Sequence, residues 1–482
     1  MSLGNLLLEK GLLTPAQLDE VRRRQRLAGG SLAESVVALG LLRREALQAV
    51  LEEPPLAPDT VDATGLEPQF LLSFVLRALY VLGIETIPTV SDALKLPTSV
   101  LTEIFEQAKK RQLLEVLGQS REHASILRYA LSAAGRERAL EALKQCHYVG
   151  PVPVTLREYQ SQVGKQSVAH ERLSAAHLAD SFRDLVLPRD LLDRVGPAVN
   201  SGKAILLYGG SGNGKTSVAD CIGRSFLQAV WIPYAIFVDG QIIKVFDPGV
   251  HEEVSDARRA ATPKGTLFRG AREPDPRWVL CHRPVVMTGG ELDLAMLDLR
   301  YDSGANFYEA PAHIKATGGA FIIDDFGRQR MRAQDLVNRW ILPLELRHDY
   351  LTLSTGQKIQ LPFDELVVFS TNFPPEELMD EAGLRRIQYK LHVAPPSTED
   401  YVAIFKRVCT AYDLSLSPDV LSYLLEDFHP STGTPLAGFH PKFIVEHVVA
   451  RCSFESVPTE LTVERVRDAL RNLVIGDLPE LD

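Results

Sequence analysis

Gly209-Gly210-Ser211-Gly212-Asn213-Gly214-Lys215-Thr216 is a complete GxxxxGK[ST] run, and its flanks decide how it folds. Before it stands an apolar stretch, Ala204-Ile205-Leu206-Leu207-Tyr208, short enough for one buried strand. After it, Ser217-Val218-Ala219-Asp220-Cys221-Ile222 has the spacing of a helix start. Strand, glycine loop and helix in that order wrap backbone N–H groups around phosphates at a helix N-terminus. The expected binding set is therefore Gly209, Gly210, Ser211, Gly212, Asn213, Gly214, Lys215, Thr216 and Ser217. Lys215 is expected to reach the outer phosphates of a nucleoside triphosphate, and Thr216 to help hold Mg²⁺.

The rest of the composition narrows the class. A chain of 482 residues is too long for one core and calls for several domains. Its 45% hydrophobic and 24% charged residues describe an ordinary folded protein. No apolar run approaches the roughly 18 residues of a membrane span; the best, 70–84, carries Arg77. No secretion signal is read at the N-terminus, and Cys146, Cys221, Cys281, Cys409 and Cys452 lie far apart. A cytoplasmic location is the expectation. A net charge of −10 argues against a nucleic-acid-coating role. His251, Cys281, His282 and His313 do not have the spacing of a structural zinc site, so no metal beyond Mg²⁺ is expected.

The first 53 residues hold a duplication. Leu3-Gly4 recurs as Leu32-Ala33, Gly11-Leu12-Leu13 as Gly40-Leu41-Leu42, and Leu18 as Leu47, each offset by 29 residues. Each unit reads as a short amphipathic helix, a glycine stop and a second helix. The pattern resembles the N-terminal domain of type II secretion and type IV pilus assembly ATPases, which in some relatives binds cyclic di-GMP. Here Ser2 and Ser31 stand where that pattern has arginine, which removes the planar fork that grips phosphate or guanine. A protein-docking module is the better reading.

Residues 54–67 read as a Pro-rich linker. From 68 to 150 the order is an apolar helix at 70–82, a short helix at 89–95, and a longer one at 98–111 capped by Thr98. Two alternating strands follow around a polar loop, and a helix begins after Tyr129-Ala130-Leu131-Ser132. This order resembles a winged-helix domain. DNA binding is weakly supported: the region carries a net charge of only +2, and helix 98–111 offers Glu103 and Glu106 with its lysines at the far end. Residues 151–174 read as a second linker.

The motor follows. Gly318-Gly319-Ala320-Phe321-Ile322-Ile323-Asp324-Asp325 is an apolar strand ending in paired carboxylates, the Walker B form. Asp324 is expected to order the Mg²⁺ shell with Thr216, and Asp325 to polarise the attacking water. Leu366-Val367-Val368-Phe369-Ser370-Thr371-Asn372 is a further buried strand ending in Asn372. Asp380-Glu381-Ala382-Gly383-Leu384-Arg385-Arg386 then carries an arginine pair.

This ordered set resembles the AAA+ ATPases across about 175–482. The resemblance implies ATP as substrate, Asn372 as the sensor that orients the lytic water, and Arg385 and Arg386 as groups reaching a neighbouring subunit's ATP. It also implies a helical lid over 395–482, in which Lys442 of His440-Pro441-Lys442 is a candidate ATP contact. Phe307 or Tyr308, ahead of the Walker B strand, is a candidate pore aromatic, with ordinary loop packing the preferred reading.

The expected fold is α/β: a P-loop NTPase (AAA+) core with a parallel sheet at 175–394 and a helical lid at 395–482. A small helical domain (1–53) and a winged-helix-like α+β domain (68–150) precede it. The expected function is ATP hydrolysis in a ring, taken as a hexamer, that remodels a protein partner. Two alternatives are an ATP-switched DNA-associated regulator and a secretion or pilus motor.

Overall fold

A computed structural model describes residues 3–28, 32–51, 53–119, 125–255 and 273–473. At its centre lies a five-stranded sheet, all parallel: β1 (Ile205–Tyr208), β2 (Val285–Thr288), β3 (Ala320–Ile323), β4 (Leu366–Thr371) and β5 (Tyr389–His392). The spatial order is β5-β1-β4-β3-β2. Both faces are covered, so β3 and β4 are buried at every position and read as continuous apolar runs. The period of two sorts the side chains. Ile205, Leu207, Ile322 and Val368 pack against Val218, Ala219 and Ile222 of the helix Lys215–Arg224. Leu206, Phe321, Ile323 and Phe369 pack on the other face against Leu336, Trp340 and Phe363. Because the strands are parallel, the residues that follow β1, β3 and β4 emerge at one edge, where α/β sheets bind ligands.

Segments on both sides of β2 build a second structure. Val230–Pro233 pairs with Trp278–Cys281, and a further sheet runs in the order Arg300–Asp302, Phe307–Glu309, Gln241–Lys244, Ala235–Val238, Val154–Thr155. An Asp239-Gly240 turn joins two of these strands, with φ 49° and 78° at the two residues. A hairpin not read from the sequence, His348–Thr352 with Lys358–Pro362, sits ahead of β4. The segment 151–174 is not an open linker. It contributes strand Val154–Thr155 and helix Leu156–Lys165, whose start is a capping box between Thr155 and Glu158.

The region before it is joined to the following α/β part rather than tethered. Helices Pro68–Leu82, Ile87–Leu94 and Thr98–Lys110, hairpin Leu114–Gln119 with Leu127–Leu131, and helix Ala133–Gln145 enclose Phe74, Val90, Leu101 and Phe105. Pro97, not Thr98, holds the cap position of the third helix, and no side chain caps it. The same core takes in Ala235 and Ile242 of the motor's second sheet, and the rings of Phe70 and Phe237 stand 4.2 Å apart. The N-terminal repeat forms helices Leu3–Glu9, Pro15–Ala28, Leu32–Ala38 and Arg44–Leu51. Its equivalent stops, Gly11 and Gly40, have φ 65° and 67°, which only glycine adopts freely. Ser2 and Ser31 lie outside the described residues. Glu34 pairs with Arg172 at 2.8 Å, and Glu53 with Lys10 at 2.6 Å and Lys165 at 3.5 Å, fastening the repeat to the motor. The C-terminal helices, chiefly Thr398–Ala411 and His440–Glu455, share a separate core of Tyr401, Phe405, Ile444 and Val448.

Candidate functional site

The glycine loop leaves β1 and turns into the helix Lys215–Arg224. Gly212 and Gly214 have φ 76° and 83°, and Gly214 is the cap position with no side-chain cap. The first-turn N–H groups therefore remain available to an anion. Gly212 is also required sterically, because a Cβ there would lie 2.2 Å from Phe439 Cδ1; at Gly209 it would lie 2.3 Å from the Val393 carbonyl oxygen. Gly209 and Gly210 sit behind the binding surface and offer their carbonyls to Lys215 Nζ at 3.0 and 2.7 Å. Ser211, Gly212, Asn213, Gly214, Lys215, Thr216 and Ser217 line a cavity of about 730 Å³ together with Asp324, Asp325 and Asn372.

Three strand ends converge on that cavity through hydrogen bonds. Thr216 Oγ1 donates to Asp324 Oδ2 at 2.9 Å and Oδ1 at 3.1 Å. Lys215 Nζ donates to Asn372 Oδ1 at 2.6 Å, and Asn372 Nδ2 donates to Asp325 Oδ1 at 3.0 Å. Lys215 is buried; desolvation draws its pKa below the ordinary lysine value, while Asp324 and Asp325 pull it back up. The Thr216 hydroxyl and the Asp324 carboxylate are hard oxygen donors within reach of one small cation, a set that fits Mg²⁺ completed by water and phosphate.

The far wall of the cavity is apolar and comes from two places: Leu185 and Leu187 before the motor sheet, and Ile404, Phe439 and Phe443 of the C-terminal helices. Phe439 N–H donates to the Gly212 carbonyl at 3.1 Å, so the C-terminal helices touch the loop directly. Lys442 lines the cavity and lies 3.7 Å from Glu446.

The turn after β3 carries a feature that sequence reading missed. Asp325 has φ 48°, in the left-handed region, and Gly327 has φ 103°. Gln329 spans this turn, its Nε2 donating to the Asp324 carbonyl at 2.9 Å and its Oε1 accepting from Gly327 N–H at 2.8 Å. No motif marks a lone glutamine at that position.

Arg385 and Arg386 stand elsewhere. They lie on the helix Glu381–Arg386, capped by Asp380, and line a separate cleft with Lys203, Glu345 and Gln388. Arg385 is 75% exposed and pairs with Glu381 at 2.6 Å. Arg386 is folded back: Nη1 donates to the Ala382 carbonyl at 2.6 Å, and Nε lies 3.4 Å from Glu345. Neither arginine lines the cavity of its own subunit.

The aromatic pair ahead of β3 is not free to grip anything. Tyr308 is 1% exposed with its hydroxyl 2.6 Å from Ser354 Oγ, and Phe307 packs edge-on against Tyr148, 5.5 Å between centroids. The expectation of a pore aromatic at these two positions is corrected by that packing. His251 and His313 serve separate networks, the first with Asp247 N–H at 2.9 Å and the second with Asp349 at 3.0 Å.

Comparison with known proteins gives limited likeness. A family described as a domain of unknown function, DUF8689, matches residues 397–472, within the C-terminal helices. No curated protein matches the chain. Among solved structures, NtrX from Brucella abortus in complex with ATP is similar at 14% identity and TM-score 0.35, covering 59% of this chain and 58% of that one. Its complex with ADP gives 14% and 0.37, covering 72% and 62%. A RuvB mutant of Thermotoga maritima gives 10% and 0.33, covering 64% and 73%. The chain thus spans less than two thirds of either NtrX structure.

Proposed function

We propose that this chain is an Mg²⁺-dependent ATPase of the AAA+ type, which assembles into a ring and uses hydrolysis to remodel a protein partner. The observation that carries this reading is the joined pair of contacts Lys215–Asn372–Asp325 and Thr216–Asp324 at one edge of a parallel sheet. Backbone N–H groups of the loop and Lys215 hold the phosphates, while Leu187, Ile404 and Phe443 offer an apolar slot to the base. Mg²⁺ at Thr216 and Asp324 would neutralise charge on the β- and γ-phosphates. Asp325 accepts a proton from water, and Asn372, already bonded to Asp325, orients that water toward the γ-phosphate.

The arginines supply the case for a ring. Both are remote from their own subunit's cavity, and a guanidinium delivered from a neighbour stabilises charge developing on the γ-phosphate. A protein rather than DNA as partner is supported by the outward face of Thr98–Lys110. That face carries Glu103 and Glu106, and Glu103 is engaged with Val61 N–H at 3.1 Å. No described helix is long and apolar enough to cross a membrane, and a cytoplasmic location accords with the scattered free thiols.

The deciding experiment measures ATP binding by calorimetry and phosphate release for the full chain and for Lys215→Ala. Unchanged ATP affinity in the variant would overturn the assignment of the loop.

A further inference from the structure

Asp325 takes a left-handed φ of 48°, uncommon for a residue with a Cβ though better tolerated by aspartate than by most, and hydrogen bonds on both sides of it select that conformation. The surroundings are specific. Phe326 N–H donates to the Ser370 carbonyl of β4 at 2.7 Å, and Thr371 Oγ1 donates to the Phe326 carbonyl at 2.7 Å. These two bonds fix the turn on its C-terminal side.

Backbone bonds hold the N-terminal side, Asp324 N–H to the Thr288 carbonyl at 2.8 Å and Arg328 N–H to the Asp325 carbonyl at 2.9 Å, and Gln329 ties these groups together. Its Nε2 donates to the Asp324 carbonyl at 2.9 Å and the Asp325 carbonyl at 3.2 Å, and reaches the Gly289 carbonyl beyond β2 at 3.4 Å. Its Oε1 accepts from Gly327 N–H at 2.8 Å. One half-buried amide thus ties the backbone on both sides of the strained residue to each other and to the neighbouring strand's exit. The direction of the Asp325 carboxylate, which meets Asn372 Nδ2 at 3.0 Å, follows from that backbone. Gln329 itself does not line the cavity.

We propose that Gln329 is a positioning residue for hydrolysis: it holds the Asp324–Asp325 backbone so that the Asp325 carboxylate stays registered with Asn372. The inference rests on the reading of Asp325 as the group that polarises water. Because Gln329 acts through the backbone and touches no nucleotide, its removal changes turnover and leaves affinity alone.

The test uses the full chain with Gln329→Ala and Gln329→Glu, measuring ATP affinity by calorimetry and kcat by phosphate release. Both variants are expected to bind ATP as the wild type does. Each is expected to lose about 10²-fold in kcat, the scale of a misplaced catalytic group. Gln329→Glu keeps the acceptor for Gly327 N–H but turns a carboxylate oxygen toward three carbonyls, so it falls at least as far as Gln329→Ala. Combined with Asp325→Asn, loss of Gln329 adds little, because the two residues act as one unit. Wild-type kcat in either variant, full additivity with Asp325→Asn, or loss of ATP affinity in both variants would overturn the inference. Wild-type turnover in Asp325→Asn alone would instead sink the underlying reading of Asp325, and the inference with it.

Discussion

Asn372 joins Lys215 to Asp325: it accepts from the lysine at 2.6 Å and donates to the carboxylate at 3.0 Å. The lysine's remaining donors go to the Gly209 and Gly210 carbonyls of its own loop. Removing a member of this set leaves its partners short of a donor or acceptor.

Lys215→Ala deletes the charge that meets the outer phosphates, so ATP affinity and hydrolysis should both collapse. Calorimetric titration with Mg-ATP checks this directly.

Asp325→Asn keeps the shape of the side chain but removes its basicity. ATP should bind and persist, with turnover reduced by about 10²-fold or more. Filter retention of labelled ATP alongside phosphate release reads both quantities. Near-wild-type hydrolysis would remove Asp325 from its role.

Arg385, exposed beside Glu381, and Arg386, tied to Glu345, should separate on substitution. Arg385→Ala should bind ATP normally and hydrolyse it about 10³-fold more slowly, as expected when a trans guanidinium is lost. Arg386→Ala should also lose hydrolysis, through a loosened helix. Mixing either variant with Lys215→Ala should restore some activity, since an intact cavity then meets an intact arginine. Specific activity that is flat on dilution, with no rescue on mixing, would mean that the subunit works alone.

Asp349 is buried between His313, 3.0 Å away, and Arg339, 2.6 Å away, and anchors the hairpin ahead of β4 to two helices. Asp349→Ala takes the carboxylate from a buried imidazole and leaves the Arg339 guanidinium only the more distant Asp298, at 3.6 Å. It should cost about 3 kcal/mol in chemical denaturation.

Acid should weaken the fold through its buried histidines. Burial lowers His170 and His440 from 6.5 to about 4, with His429 stacked on His440 adding to its shift. A depressed histidine binds fewer protons folded than unfolded, so its contribution is intact above 6.5 and lost as pH falls toward 4. Denaturation midpoints should decline through that window, and His440→Phe should flatten the decline. A midpoint that stays level from pH 7 to about 5 would contradict this.

Much of the motor was legible because each part is local. β1, β3 and β4 are short apolar runs that end in a motif, and burial on both faces leaves no polar alternation to confuse them. The helix Leu156–Lys165 was hidden behind prolines, although Thr155 and Glu158 spelled a capping box three residues apart. The hairpin His348–Thr352 with Lys358–Pro362 alternates buried and exposed residues, but its inward polar member, Asp349, finds its partners far along the chain. Arg385 and Arg386 are equivalent as letters, and only their tertiary neighbours divide them. Gln329 acts on carbonyls, which no side-chain pattern records.

The shared core around Phe74, Ala235 and Ile242 has a thermodynamic corollary. A seam of that kind couples the two regions' unfolding, since opening one strips apolar cover from the other. Cutting the chain near residue 153 would not release two autonomous pieces: Phe237 and Phe307 would lose their apolar cover, and the stripped motor would tend to associate through that surface. Residues 54–153 are in this sense inseparable from the sheet whose apolar face they cover.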